Sequence, residues 1–484
     1  MIKPAFEFDP ETRRELGHKV IDIIDDYYSS LRTRAVQPPF EARKIQSAQD
    51  CYTPLPETGA EAASIIDELC QRFLRDGFHT ASANYFGLMN PAPTYAAVLA
   101  ELLVAAFNPQ LASLARSELA SQIERETLRW IGESIGWAIH EGTFTTGGSE
   151  ANYTAILLAL AAKSPSYTRS GIAAFAQRPI FYASSEAHHS LDKGVIICGA
   201  GLESLRRIPV DGSARMQIEH LENAIQSDLE AGLLPCCLIG TAGTTNSGAI
   251  DDLVALSQVC KKYGMWYHVD GAYGLAAIFS LRHRMLLEGL ETADSIAIDP
   301  HKWLAMPFSV GAVLTSHTGM IEGLFDVEAP YLPKCAEVQV KDNFRLGMQW
   351  SRRMNSLKLW LTLRIHGRQA YEELIDRHVQ LGREFAAWVE KSEVFELVMQ
   401  PELAIINLSV RLPGATEAEV EKANSLIVDK IVRAGKFWLS ITRVNRRNVI
   451  RTMIINYLSE RRHMQEFQAT LVAAAKEILA AVAR

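Results

Sequence analysis

The chain lacks most of the features that would place a protein in a membrane, on nucleic acid or outside the cell. No apolar run approaches the roughly 20 residues that a spanning helix needs. The 49 Lys and Arg against 56 Asp and Glu give a net charge of −7 and a pI near 6.0. That balance argues against nucleic acid or an anionic membrane as the main partner. Seven cysteines (51, 70, 198, 236, 237, 260 and 335) form no C-x-x-C and no even framework, so reduced thiols in a cytoplasm are expected. The first ten residues lack the apolar core of a signal peptide. G-x-S-x-G and H-E-x-x-H are absent, which leaves hydrolase and zinc-protease readings without an anchor. Gly199-Ala200-Gly201 lacks the third glycine and the acidic ribose contact of a dinucleotide site. His188 and His189 are neighbours with no third ligand at zinc-like spacing, so no metal is expected. The expectation is a soluble cytoplasmic protein without repeats or low-complexity segments.

At 484 residues, with 48% apolar and 22% charged side chains, the chain is too long for one hydrophobic core. Asp9-Pro10 reads as a helix cap and first residue, followed by one apolar face of Leu16, Val20, Ile23, Ile24, Tyr27 and Leu31. A second helical stretch runs from Glu61 to Leu74, so residues 1–85 form a helical arm with little core of its own. Residues 86–365 alternate strand-like runs (180–184, 235–241, 265–270, 295–299, 310–315) with helical ones (150–162, 221–231, 252–263). That alternation predicts an α/β unit whose mostly parallel sheet is covered on both faces. Residues 366–484 form a smaller α/β unit. Its strand-like runs are 404–410, 437–442 and 449–457, and Thr416 and Glu419 make a capping box for a helix ending at Gly435.

The chemistry lies at the expected carboxyl ends of the strands. Ser295-Ile296-Ala297-Ile298 stops on Asp299-Pro300-His301-Lys302-Trp303, which delivers a lysine amine to the sheet edge. Met265 to Val269 stops on Asp270. A carboxylate at one strand end and a lysine at the next is what pyridoxal phosphate asks for: a partner for the pyridine nitrogen and an amine for the aldehyde. A carboxylate about 4 Å from a pyridinium is worth roughly 4 kcal/mol at a dielectric near 20, about three pKa units. Thr145-Thr146-Gly147-Gly148-Ser149-Glu150 opens a helix, where backbone N–H groups can cradle a phosphate. Taken singly, these residues have ordinary alternatives: an N-cap turn for the glycines, a turn-forming Asp270, a loop histidine at 188 or 189.

In this order the motifs resemble the group II pyridoxal-phosphate-dependent decarboxylases, a family that includes aromatic-L-amino-acid, tyrosine, histidine and glutamate decarboxylases. The resemblance rests on Gly147-Gly148-Ser149-Glu150-Ala151, Ala187-His188, Gly243-Thr244-Thr245, His268-Val269-Asp270-Gly271-Ala272-Tyr273 and Pro300-His301-Lys302-Trp303. Ala329-Pro330-Tyr331-Leu332, Ser351-Arg352-Arg353 and Ser356 to Trp360 follow. It implies fold type I, a homodimer with a swapped N-terminal arm, and decarboxylation of an L-amino acid, an aromatic one first, to the primary amine. By position it implies that Lys302 bonds the cofactor, Asp270 pairs with the pyridinium and His188 stacks on the ring. Gly148 and Ser149 cradle the phosphate, and Thr245, Ala272 and His301 add cofactor contacts. Tyr331 matches the tyrosine that returns a proton to the substrate.

Three departures stand out. Many relatives carry Asn where this chain has Asp299. Leu88-Met89-Asn90-Pro91 replaces the Tyr-Phe-Pro of aromatic-substrate members. Ser351 matches plant members acting on phenolic amino acids. The alternatives are an aldehyde-forming enzyme of the same fold, which the intact Tyr331 argues against, and an inactive scaffold.

Overall fold

Where the strands end decides where the site sits. In this computed structural model residues 6–40, 55–138, 140–327 and 342–482 are described. Seven strands form the larger sheet: β1 (Glu141–Thr145), β2 (Pro179–Ser184), β3 (Leu205–Ile208), β4 (Leu234–Thr241), β5 (Trp266–Asp270), β6 (Ser295–Ile298) and β7 (Gly311–Thr315). Their order is β1-β7-β6-β5-β4-β2-β3. The pairs from β6 through β5, β4 and β2 to β3 are parallel, whereas β7 runs antiparallel to both β1 and β6. The expected mostly parallel sheet is present, with the 310–315 run as its one reversed strand.

Alternation along β2 explains why both faces are covered. Ile180 and Tyr182 join one core cluster with Ile131, Leu221 and Leu256, while Phe181 and Ala183 join another with Ile156, Leu160 and Leu191. Successive side chains on a strand point to opposite faces, so a wholly apolar strand needs helices on both.

Five helices punctuate the N-terminal third: α1 (Pro10–Ser30), α2 (Ala62–Asp76), α3 (Tyr95–Phe107), α4 (Glu118–Ile135) and α5 (Gly148–Lys163). Asp9 caps α1 as expected, its carboxylate accepting from the N–H groups of Glu11 (3.1 Å) and Thr12 (2.9 Å). The anticipated apolar face of α1, from Leu16 to Tyr27, is only half-buried, and Leu31 beyond it is buried.

Four antiparallel strands form the second sheet, in the order β10-β11-β9-β8: β8 (Phe395–Leu397), β9 (Ile405–Val410), β10 (Ser440–Val444) and β11 (Arg447–Met453). Helices Glu417–Ala434 and Arg461–Val482 supply Ile427, Ile431, Phe467 and Leu471 to its core. The Thr416–Glu419 capping box is formed, and Gly435 ends the helix at φ 84°. Helix Ser356–Glu390 leads from the larger sheet to the smaller and breaks at Gly367 (φ 76°, ψ 170°). Among the described residues no helix is long and apolar enough to cross a membrane, and no cluster of side chains could hold a metal ion.

Candidate active site

A cavity of about 440 Å³ opens at the carboxyl ends of β4, β5 and β6. Its floor is built by glycines that nothing larger could replace. The first turn of α5 lies so close to the end of β6 that a Cβ on Gly148 would sit 2.9 Å from Asp299 Oδ2 and 3.1 Å from Ala272 Cβ. A Cβ on Gly311, where β7 begins, would sit 2.6 Å from both Asp299 Oδ1 and Gly147 Cα. Glu150 ties the turn together: its Oε2 accepts from the Thr146 N–H (2.8 Å) and hydroxyl (2.7 Å), and Gln349 Nε2 donates to both its oxygens. The leading amides of α5, Gly148 and Ser149, have no acceptor within their own helix and carry its positive end.

Lys302 stands beside this turn. Its Nζ lies 3.1 Å from Asp299 Oδ2, and His301 Nε2 lies 3.6 Å from the same oxygen. His301 Nδ1 accepts from the Val310 N–H at 3.1 Å, which places the ring proton on Nε2, facing Asp299. Burial holds this imidazole below the usual histidine range, against the opposing pull of Asp299. Trp303 anchors the lysine's other side: it stacks on Tyr273 (5.0 Å between centroids) and donates its indole N–H to His378 Nδ1 at 2.9 Å.

Asp270, at the end of β5, is buried and closes a chain of hydrogen bonds. Trp266 Nε1–H donates to Ser295 Oγ (2.8 Å), and His268 Nδ1 lies against that hydroxyl (2.9 Å) and against the Ser295 carbonyl (3.1 Å). His268 Nε2–H donates to Asn152 Oδ1 (3.0 Å), and Asn152 Nδ2 donates to Asp270 Oδ2 (2.8 Å). Burial pushes the His268 pKa down to about 4, although Asp270 and the Ser295 carbonyl pull the other way. The two links nearest the carboxylate, His268 to Asn152 and Asn152 to Asp270, both point their hydrogens toward it, an alignment in which each bond polarises the next. The Ala272 N–H occupies Asp270 Oδ1 at 3.1 Å. Both Asp270 oxygens thereby accept hydrogen bonds from fixed donors.

His188 is exposed on the cavity wall, and its Nδ1 accepts from the Ser190 N–H at 3.1 Å. Desolvation lowers its pKa, with Asp270 opposing. Thr245 also lines the cavity, and its carbonyl accepts from Arg451 Nη1 (2.7 Å), which ties β11 to the cavity rim. The structure therefore brings Gly148, Ser149, His188, Thr245, Asp270, Ala272, His301 and Lys302 around one cavity. Tyr331 lies outside the described residues. Met89 lines the cavity, whereas Ser351 is exposed and does not.

Residues 49–411 match the family model described as the pyridoxal-dependent decarboxylase conserved domain. The chain belongs to the pyridoxal-dependent decarboxylases. It is similar to an aromatic-L-amino-acid decarboxylase of Bacillus atrophaeus, with 28% identity over 98% of this chain and 97% of that one. An L-2,4-diaminobutyrate decarboxylase of Acinetobacter baumannii is 30% identical over 80% of this chain and 78% of its own length. Among solved structures, Oryza sativa TDC with PLP and tryptamine superimposes with a TM-score of 0.90 at 26% identity, covering 99% of this chain and 100% of that one.

The residues present fit pyridoxal phosphate, the family's cofactor. A glycine floor and a helix N-terminus suit a phosphate, and a lysine stands beside them. Asp270 adds a buried carboxylate with fixed donors. The cavity volume is that of an ordinary small-molecule site.

Sequence reasoning missed Asn152, and it quoted His268 without giving it a part. His268 lies two residues before Asp270 on one strand, so both side chains leave the same face; that period of two was a usable signal. Asn152 carried none, because only the folding of α5 over β5 brings it there. Glu150 stood in the expected turn without a part of its own, and Gln349 and Phe308 were not anticipated.

Proposed function

We propose that this pyridoxal-phosphate-dependent decarboxylase removes the carboxylate of an aromatic L-amino acid as carbon dioxide and leaves the primary amine. When bound, the cofactor supplies an electron sink for the pair released from the Cα–carboxylate bond. The protein's part is to bind and orient. Gly148 and Ser149 would hold the phosphate, and Lys302 Nζ would supply the amine that carries the cofactor. Asp270, with Asn152 and the Ala272 N–H fixing its two oxygens, would keep a proton on the ring nitrogen. His188 would face the ring, with Thr245, Ala272 and His301 around it, and Tyr331 would return the proton to Cα.

One observation carries the aromatic reading. Among the described residues lining the cavity, Lys302 is the only Lys or Arg, and Met89 and Phe308 add apolar surface. A substrate with a side-chain carboxylate finds no spare cation there. One with a side-chain amine finds Glu150 already engaged by Thr146 and Gln349. The test is carbon dioxide release across aromatic, acidic and diamino acids, with Lys302→Ala as control. Aromatic turnover that the control lacks supports the proposal. Turnover of an acidic or diamino acid alone refutes the substrate, and equal turnover by Lys302→Ala refutes the site.

We also propose a homodimer built through the arm (1–85), with a large domain (86–365) and a small one (366–484). Exposed Ile65, Leu69 and Phe73 on α2 and Leu102, Leu103 and Phe107 on α3 support the first point, and the break at Gly367 supports the last boundary. Free Cys70, Cys198, Cys236, Cys237 and Cys260 support a reducing, cytoplasmic setting.

A further inference from the structure

Asp299 is a carboxylate for which the functions assigned above have no use. Its side chain is 3% exposed. One oxygen, Oδ2, faces Lys302 Nζ at 3.1 Å and His301 Nε2 at 3.6 Å; the other, Oδ1, is buried with no hydrogen-bond partner. Leaving a buried carboxylate oxygen without a donor is costly, and a fold that keeps one has put it there against its own stability. The group sits against the floor of the phosphate cup, 2.9 Å from the place a Gly148 Cβ would occupy.

The surrounding charges do not neutralise a dianion added to this cup. Lys302 is the one cation among the described lining residues. His301 is kept neutral by burial and by the Val310 N–H on its Nδ1. Glu150 opens the same helix turn, bound by Thr146 and Gln349, and Asp270 closes the cavity's other end, bound by Asn152. An asparagine in place of Asp299 keeps the shape, offers an N–H to an anion and carries no charge. An aspartate gives only acceptors and a negative charge, in a site where low dielectric magnifies the repulsion.

We propose that Asp299 is a positioning residue that holds the Lys302 ammonium while the cup is free and loosens the grip on the cofactor's phosphate once the cup is filled. The inference rests on the pyridoxal phosphate reading of the cavity. With the cup filled, Asp299 sets a buried negative charge beside the phosphate that Lys302, the one cation among the described lining residues, does not offset. This chain therefore binds its cofactor exchangeably, more weakly than the same cup with an amide at 299.

The test separates phosphate from ring with two probes that have no aldehyde and so cannot bond Lys302: pyridoxamine 5′-phosphate and pyridoxamine. Their dissociation constants are measured by calorimetry on the full chain stripped of cofactor, for wild type, Asp299→Asn and Asp299→Ser. Both variants should bind the phosphorylated probe about tenfold or more tightly than wild type, with pyridoxamine changed by no more than about twofold. A parallel change in both probes assigns Asp299 a general structural role and overturns the proposal. An unchanged or weakened affinity for the phosphorylated probe overturns it too, while leaving the cofactor reading intact. Neither probe binding to wild type or to either variant overturns both.

Discussion

His378 should make the protein sensitive to mild acid, and replacing it should remove that sensitivity. Its ring is fully buried, with Nδ1 accepting from Trp303 Nε1 (2.9 Å) and Nε2–H donating to the Asn456 carbonyl (3.1 Å). The Trp303 donor demands an unprotonated Nδ1, and burial, helped by Arg377, pushes the ring's pKa down to about 3 from the ordinary 6.5 against the pull of the Asn456 carbonyl. A histidine whose folded pKa lies below its unfolded one takes up its proton more readily when the chain unfolds. Its contribution is therefore intact above pH 6.5 and is lost as pH falls toward 3. By linkage the loss is about 2 kcal/mol at pH 5 and about 4 kcal/mol at pH 3. His378→Gln keeps a donor and an acceptor but cannot titrate. Urea unfolding, followed by tryptophan fluorescence at pH 7.5 and pH 5, reads the difference. Wild type should lose about 2 kcal/mol more than the variant over that interval, whatever the variant's stability at pH 7.5. Parallel losses in the two proteins would refute the reasoning, since the acid sensitivity would then come from other groups.

Two further outcomes are expected. Asn152→Ala deprives Asp270 of one of its two hydrogen bonds and strands His268 Nε2–H, a loss of about 2–5 kcal/mol in stability; its urea midpoint should fall and its affinity for pyridoxamine should weaken, and an unchanged pyridoxamine affinity would count against the buried chain. Tyr331→Phe should slow amine formation by about 10²–10⁴-fold and, in air, divert product to aldehyde with ammonia and peroxide; full amine output with no aldehyde would remove Tyr331 from the proton-returning role.

What the sequence made legible follows from where each signal resides. The central strands β2, β4, β5 and β6 were readable because burial on both faces makes them continuous apolar runs. β1 was not, since Glu141-Gly142-Thr143-Phe144-Thr145 has little apolar content, and β3 was not, since Leu205-Arg206-Arg207-Ile208 is an edge strand with two arginines. The run expected at 437–442 begins early because Phe437 and Trp438 pack before the strand starts at Ser440. Asp270 and Lys302 were legible because each terminates a recognisable strand. The bond between His268 and Asn152 joins residues 116 apart in sequence, and no local pattern encodes such a meeting.

The reversal of β7 gives the lysine a short leash. Because β6 and β7 are antiparallel neighbours, the connection Asp299–Val310 leaves one strand and re-enters the next a single strand-spacing away, about 4.8 Å. A parallel return would have needed a crossover running the length of the sheet, with its reacting amine on a long swinging span. Here the strap is also stitched down along its length: Tyr371 Oη–H donates to the Leu304 carbonyl, and Lys358 Nζ reaches the carbonyls of Pro307 and Ser309. Those stitches come from helix Ser356–Glu390. Their two donors, Lys358 and Tyr371, lie on either side of its break at Gly367, so one kinked rod clamps the strap at two places and a shift of that rod would be felt at the amine.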